Sequence, residues 1–124
     1  MRKFLTLCSF LFLFSWLNAD YYRAEKGISS WYGDWHHGKI MANGKPFDMN
    51  RMTVAHKEIP LGTWVRVINL TNGEYCWAEV TDRGPYVGGR ILDVSKAVAV
   101  KLDMIGKGIV KVCLIWREGN GRKI

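Results

Sequence analysis

Residues 63–81 read Thr-Trp-Val-Arg-Val-Ile-Asn-Leu-Thr-Asn-Gly-Glu-Tyr-Cys-Trp-Ala-Glu-Val-Thr, a stretch that predicts a β-hairpin. Side chains on a strand alternate between two faces, so Val65 and Val67 share one face of a strand over 63–70 and Arg66 takes the other. Thr71-Asn72-Gly73 supplies the turn chemistry of a hairpin, and 74–81 forms the return strand with Cys76, Ala78 and Val80 facing inward. The ladder then breaks at Asp82-Arg83-Gly84-Pro85, where glycine and proline interrupt strand pairing. Downstream, Gly88-Gly89 leads into a short strand over 90–94. Residues 95–102 form the one good helix, with Ser95 as N-cap, and 109–116 alternate as a last strand. Upstream, 28–32 reads as a first strand and 33–44 as a loop ending in the turn pair Asn43-Gly44. Residues 47–55 lead into His56, and Ile59-Pro60-Leu61-Gly62 makes a further turn. Several short strands, one helix and frequent Gly/Asn turns spell a mainly β fold, a small barrel.

The ends of the chain are set apart by composition. Arg2 and Lys3 precede an apolar run from Phe4 to Leu17, followed by Asn18-Ala19. That is the layout of a secretory signal peptide over residues 1–19, with cleavage expected near Ala19. The run of 14 residues is short of the roughly 20 needed to cross a bilayer as a helix. Cys8 lies inside the run after Leu7, so no lipid anchor is expected. Residues 20–26 read as a polar lead-in, 27–117 as the barrel domain and 118–124 as a frayed polar tail. The mature chain of 105 residues is one domain's worth. Its formal charge falls from +7 to about +5 on cleavage, which suits an anionic partner such as a cell-wall polymer or membrane surface. Cys76 and Cys113 fall on opposite strand parities, which predicts two free thiols. Two cysteines without local partners make no metal site, and His36-His37 lack a third spaced ligand. No metal or other cofactor is expected. There is no phosphate loop, nucleophile triad or nucleic-acid motif, and a monomer is expected.

Ten stretches in order resemble the RlpA (rare lipoprotein A) family of septal-ring lytic transglycosylases. They are Ser30-Trp31-Tyr32-Gly33, His37-Gly38-Lys39, Ala42-Asn43-Gly44, Phe47-Asp48-Met49, Thr53-Val54-Ala55-His56-Lys57, Pro60-Leu61-Gly62-Thr63, Val65-Arg66-Val67, Asn69-Leu70-Thr71-Asn72-Gly73, Thr81-Asp82-Arg83-Gly84-Pro85-Tyr86 and Gly89-Arg90-Ile91-Leu92-Asp93-Val94-Ser95. The resemblance implies a six-stranded double-psi β-barrel with one short helix, shared with expansin N-terminal domains. It implies an exported protein of the periplasm or cell envelope that cleaves peptidoglycan glycan strands between N-acetylmuramic acid and N-acetylglucosamine, leaving 1,6-anhydro ends. Three features depart from the family: no SPOR domain follows, no lipobox precedes, and Lys45 stands after Asn43-Gly44 where Glu is frequent.

Transglycosylation needs one group that gives a proton to the glycosidic oxygen and then takes one from the C6 hydroxyl of the sugar. A single carboxyl held protonated can therefore do what glycoside hydrolysis divides between two. Asp82 ends a strand with an apolar inward face and starts a Gly-Pro turn, so it is placed at a barrel rim. The resemblance puts the catalytic carboxyl there; the alternative is an Asp that caps its own turn through the Arg83 and Gly84 amides. His56, the second catalytic candidate, either bonds the carboxyl or substrate or is a satisfied structural histidine. Arg83 favours ionised Asp82 if the two side chains touch, and an ammonium at Lys45 pushes the same way. Lys45, Asp48, His37, Trp31, Tyr32, Trp35, Arg83 and Tyr86 are the expected substrate-binding residues, the aromatic faces suiting the apolar faces of pyranose rings. Asp93, just before the helix, reads as a structural cap. A non-catalytic, expansin-like glycan-binding barrel is the competing reading.

Overall fold

The computed structural model describes residues 22–118. The expected signal segment 1–19 lies outside the described residues, as do 119–124 of the polar tail. Six strands, β1 (Tyr22–Trp31), β2 (Thr53–Ala55), β3 (Trp64–Asn69), β4 (Tyr75–Asp82), β5 (Arg90–Val94) and β6 (Val110–Arg117), and one helix, α1 (Lys96–Lys101), follow in chain order, with a single 3-10 turn at Asp34–His36. The strands close into a barrel in the order β1-β5-β2-β4-β3-β6. β1 runs parallel to β5 and β2 parallel to β4, each pair with a register shift, while the other four pairings are antiparallel. This is the six-stranded double-psi β-barrel expected.

The hairpin forms as its residues dictate. β3 pairs with β4 with Val65 opposite Ala78 and Val67 opposite Cys76, and all four are buried. Gly73 takes a φ of 79°, a left-handed conformation that costs glycine nothing for want of a Cβ. Asn69 and Asn72 accept from the Thr71 and Glu74 amides, 2.9 and 2.8 Å, as Asx turns do. Their amide groups also donate to the Leu102 carbonyl at 2.9 and 3.1 Å, so the hairpin turn satisfies the C-terminal end of α1. Ser95 caps the other end, its Oγ accepting from Val98 N at 3.2 Å and donating to Arg51 O at 2.6 Å. Val98, Ala99, Leu102 and Met104 then join Val54, Val65, Val67, Val80, Leu92, Val94, Val112 and Leu114 in one core.

Two expectations change. β1 begins at Tyr22, so residues expected as a lead-in are strand; β6 pairs with them from Tyr22↔Arg117 through Ser29↔Val110. The cause is a supply of backbone partners 90 residues away in sequence, since Tyr22, Arg23, Ala24 and Lys26 are exposed and show no apolar alternation. Within the 47–55 segment that leads into His56, Thr53–Ala55 is strand. Cys76 and Cys113 are free, as expected, but both are buried; Cys113 sits between Lys26 of β1 and Ile68 of β3.

Burial pushes the Cys76 thiol up to about 11 from 9.0, against an opposing pull from Lys101. The fold therefore holds the neutral thiol. Stability from this group is intact below the unfolded value and falls as pH rises from 9 towards 11, because the unfolded chain releases its proton first. Iodoacetamide at neutral pH is expected to leave Cys76 unmodified in the native protein and to alkylate it in urea, read by peptide mass spectrometry. Rapid native alkylation would contradict the burial.

Candidate active site

Asp82 is the last residue of β4, half-buried, and its carboxylate is met by donors from three segments. Oδ1 accepts from Ala42 N at 2.8 Å and from Arg83 N at 2.9 Å, and Oδ2 accepts from Tyr32 Oη at 2.9 Å. The Ala42 amide is delivered by a tight turn. Met41 N donates to Lys45 O, Gly44 N to Met41 O, and Lys45 N to the Asn43 side chain, all at 2.9 Å. Asn43 N reaches back to Thr81 O at 3.2 Å, which pins the turn beside β4, and Gly44 takes a φ of 84°. The Ala42-Asn43-Gly44 motif is thus a device for aiming one backbone amide at Asp82. Asp82 also caps its own turn through the Arg83 amide, so the two sequence alternatives describe one geometry.

Tyr32 stands just past β1, with its backbone N donating to Val94 O at 2.9 Å. Its ring packs edge-on to Phe47 at 4.8 Å and tilted to His36 at 4.7 Å. Burial first, and the Asp82 carboxylate second, hold the phenol far above its ordinary value, so Tyr32 stays a neutral donor. Tyr32 was expected as a sugar-stacking ring, and its hydroxyl is bonded to Asp82.

Arg83 points elsewhere. Its Nη1 donates to the carbonyls of His56 at 3.1 Å and Ile59 at 2.8 Å. The expected pull of its guanidinium on the Asp82 carboxylate would require contact, and the bonds go instead to the 56–59 turn. The His56 ring is also engaged away from Asp82. Nδ1 accepts from the Glu58 and Ile59 amides at 3.0 Å each, and Nε2 lies 2.7 Å from Glu25 Oε1. His56 and Asp82 meet through the backbone alone, His56 N donating to Asp82 O at 3.2 Å. Both ring nitrogens are thus engaged within the 56–59 turn and by Glu25, the geometry that the structural alternative describes.

Two cavities flank these segments. One of about 460 Å³ is lined by His37, Lys45, Asp48, Arg51, Glu79 and Thr81 over Met41 and Phe47, and the other, about 560 Å³, by Glu25, His56, Lys57, Glu58, Trp116 and their neighbours. Asp82 itself lines neither. The smaller cavity includes Thr81 and residues of the Ala42-bearing turn and gathers three of the expected binding residues, His37, Lys45 and Asp48, which makes it the candidate groove. His37 Nδ1 accepts from Met49 N at 3.2 Å and Asp48 Oδ1 from Asn50 N at 2.9 Å. Lys45 is exposed. Trp35 and Tyr86 are 68% and 81% exposed; the Trp35 ring lies 3.6 Å from the His36 ring, centre to centre, and carries Lys39 Nζ 4.5 Å from its own centre. Trp31 packs against the core, and Ser30 Oγ donates to Asp93, which ties β1 to β5 in keeping with a structural Asp93. Among the described residues no cluster of three or more His, Cys, Asp or Glu is placed to hold a metal ion. Arg51 and Glu79 were not singled out in sequence; each sits on a segment whose cavity-facing side depends on a neighbour far along the chain.

A closed barrel of two parallel and four antiparallel pairings, with a carboxylate held at one strand end beside a cavity, defines a double-psi β-barrel protein. Comparison with known proteins agrees. The family model described as "Lytic transglycolase" matches residues 24–114. The endolytic peptidoglycan transglycosylase RlpA of Campylobacter jejuni is 46% identical over 88 residues, 71% of this chain and 32% of that protein. That of Neisseria meningitidis serogroup A is 46% identical over 88 residues, 71% of this chain and 37% of that protein. Among solved structures, an apo expansin of Clavibacter michiganensis superposes with a TM-score of 0.60 at 20% identity, over 76% of this chain and 50% of that one. A Streptomyces papain inhibitor gives 0.58 at 23% identity, over 77% and 94%. The chain belongs to the lytic transglycolase family, with the RlpA proteins. It spans about a third of the length of these curated relatives.

Proposed function

We propose that this chain is an exported lytic transglycosylase of the cell envelope that cleaves peptidoglycan glycan strands, acting as a monomer with Asp82 as its acid/base. The observation that carries this reading is the placement of Asp82 at the end of β4 beside the groove, with its carboxyl oriented by three donors. In the first step the Asp82 carboxyl gives its proton to the oxygen linking N-acetylmuramic acid to N-acetylglucosamine, and the C1–O bond breaks. The Ala42 and Arg83 amides and the Tyr32 hydroxyl then stabilise the carboxylate left behind. In the second step the C6 hydroxyl of the muramic acid bonds to C1 and passes its proton to Asp82, which restores the acid and consumes no water. His37, Lys45 and Asp48 would hold the glycan in the groove, with Trp35 and Tyr86 at its exposed margins. Arg83 and His56 set the turn that presents Asp82, and Tyr32 orients its carboxylate.

The same donors, together with the Lys45 ammonium on the turn that binds Asp82, also suit a barrel that binds glycan without cleaving it. Incubation of the mature protein with purified sacculi decides between the two. The enzyme reading expects anhydro-muropeptides by mass spectrometry; sacculus binding without such products supports the expansin-like reading and ends the first. If the enzyme reading holds, Lys45→Glu is expected to raise turnover at neutral pH about two- to threefold, the modest effect of exposed charge. The gain should shrink as salt is added, and an unchanged or lower rate would show that Lys45 does not oppose the acid.

A further inference from the structure

Glu25 occupies the part of β1 that sequence leaves without a role, yet it makes one of the shortest polar contacts in the barrel. Its Oε1 lies 2.7 Å from His56 Nε2, with the histidine side chain 8% exposed. The other ring nitrogen, Nδ1, faces two backbone N–H donors, those of Glu58 and Ile59. A nitrogen that accepts from two amides carries no proton, so the proton sits on Nε2 and is donated to Glu25. The ring so fixed folds 56–59 into a turn that offers the His56 and Ile59 carbonyls side by side to Arg83 Nη1. Arg83 in turn presents its backbone N–H to Asp82 Oδ1. Six hydrogen bonds, none spanning the reacting groove, therefore run from an acid on β1 to the carboxylate at the end of β4.

We propose that Glu25 is a positioning residue for the Asp82 site, acting through the His56 ring, the 56–59 turn and Arg83. This rests on the reading of Asp82 as the reacting carboxyl. Glu25 is a carboxylate acceptor that fixes a tautomer, as second-layer carboxylates fix histidine ligands elsewhere. Its loss frees the ring to turn or to exchange tautomers, slackens the 56–59 turn, and lets Arg83 and the Asp82 carboxylate drift.

The test compares wild type with Glu25→Leu, which removes the acceptor, and Glu25→Gln, which keeps an acceptor oxygen. Glu25→Thr, strand-forming but too short to reach the ring, replaces Glu25→Leu if that variant does not fold. Nitrogen-15 NMR of His56 is expected to show the Nε2–H tautomer in wild type and Glu25→Gln and a mixture in Glu25→Leu. The Ala42 and Arg83 amide resonances should move in Glu25→Leu alone. On solubilised glycan strands kcat should fall about tenfold with KM little changed, and Glu25→Gln should restore most of it, a pattern of misplacement and not of lost binding. An altered His56 signal with unmoved Ala42 and Arg83 amides, or with full kcat, overturns the proposal. If wild type cleaves no glycan, the acid/base reading fails on its own and the amide resonances alone decide whether the relay exists.

Discussion

Asp82→Ala is expected to abolish release of anhydro-muropeptides from sacculi while leaving the barrel folded. The change removes the carboxyl on which the Ala42 and Arg83 amides and the Tyr32 hydroxyl converge, and general acid–base groups contribute roughly 10²–10⁴-fold to rate. Asp82→Asn is the sharper probe. Its Oδ1 still accepts from the Ala42 and Arg83 amides, so the turn geometry survives, but an amide neither gives nor takes the proton. Both variants should therefore lose product; Asp82→Asn should keep an unfolding midpoint near wild type, while Asp82→Ala, which strands the Ala42, Arg83 and Tyr32 donors, should unfold somewhat earlier. Retained cleavage in Asp82→Asn would remove Asp82 from the chemistry and direct attention to Asp48 or Glu79 across the groove.

The largest effect on stability is expected from Leu92→Ala. Leu92 is fully buried at the middle of β5, the strand that joins β1 on one side to β2 on the other. Truncating a buried leucine costs about 2–5 kcal/mol, the range set by how far the cavity collapses. Domains of this size are stable by only about 5–15 kcal/mol, so the variant should unfold at much lower urea concentration than wild type. Val100→Ala, at a position of α1 where the valine is 61% exposed, should change stability by less than about 0.5 kcal/mol. Equal losses in the two would mean that β5 is not the inner strand its burial indicates.

Much of this was legible in the chain. The 63–81 hairpin, the Ser95-capped helix and the Asp82 turn depend on neighbours a few residues apart, where alternation and turn chemistry carry the signal. The groove side of the site was legible through Lys45, Asp48 and His37, which belong to one local loop. What sequence did not give is contact across long separations. Tyr32 reads as a stacking aromatic until its hydroxyl is seen on a carboxylate 50 residues on. Arg83 reads as an electrostatic opponent of Asp82 until its guanidinium is found on the 56–59 carbonyls. The early start of β1 was hidden for the same reason, because its pairing partner is the last strand.

That strand order has a consequence for the order of events in folding. β1 is bonded to β5 and β6, so the first strand to emerge from a ribosome or a translocation pore has no neighbour until the last two have followed. Nothing shorter than the whole domain can shut the sheet on itself. Folding is governed by distant pairings, which places it at the slow end for chains of this length. For a chain exported as proposed, this delay keeps the barrel threadable until its last strand, β6, arrives.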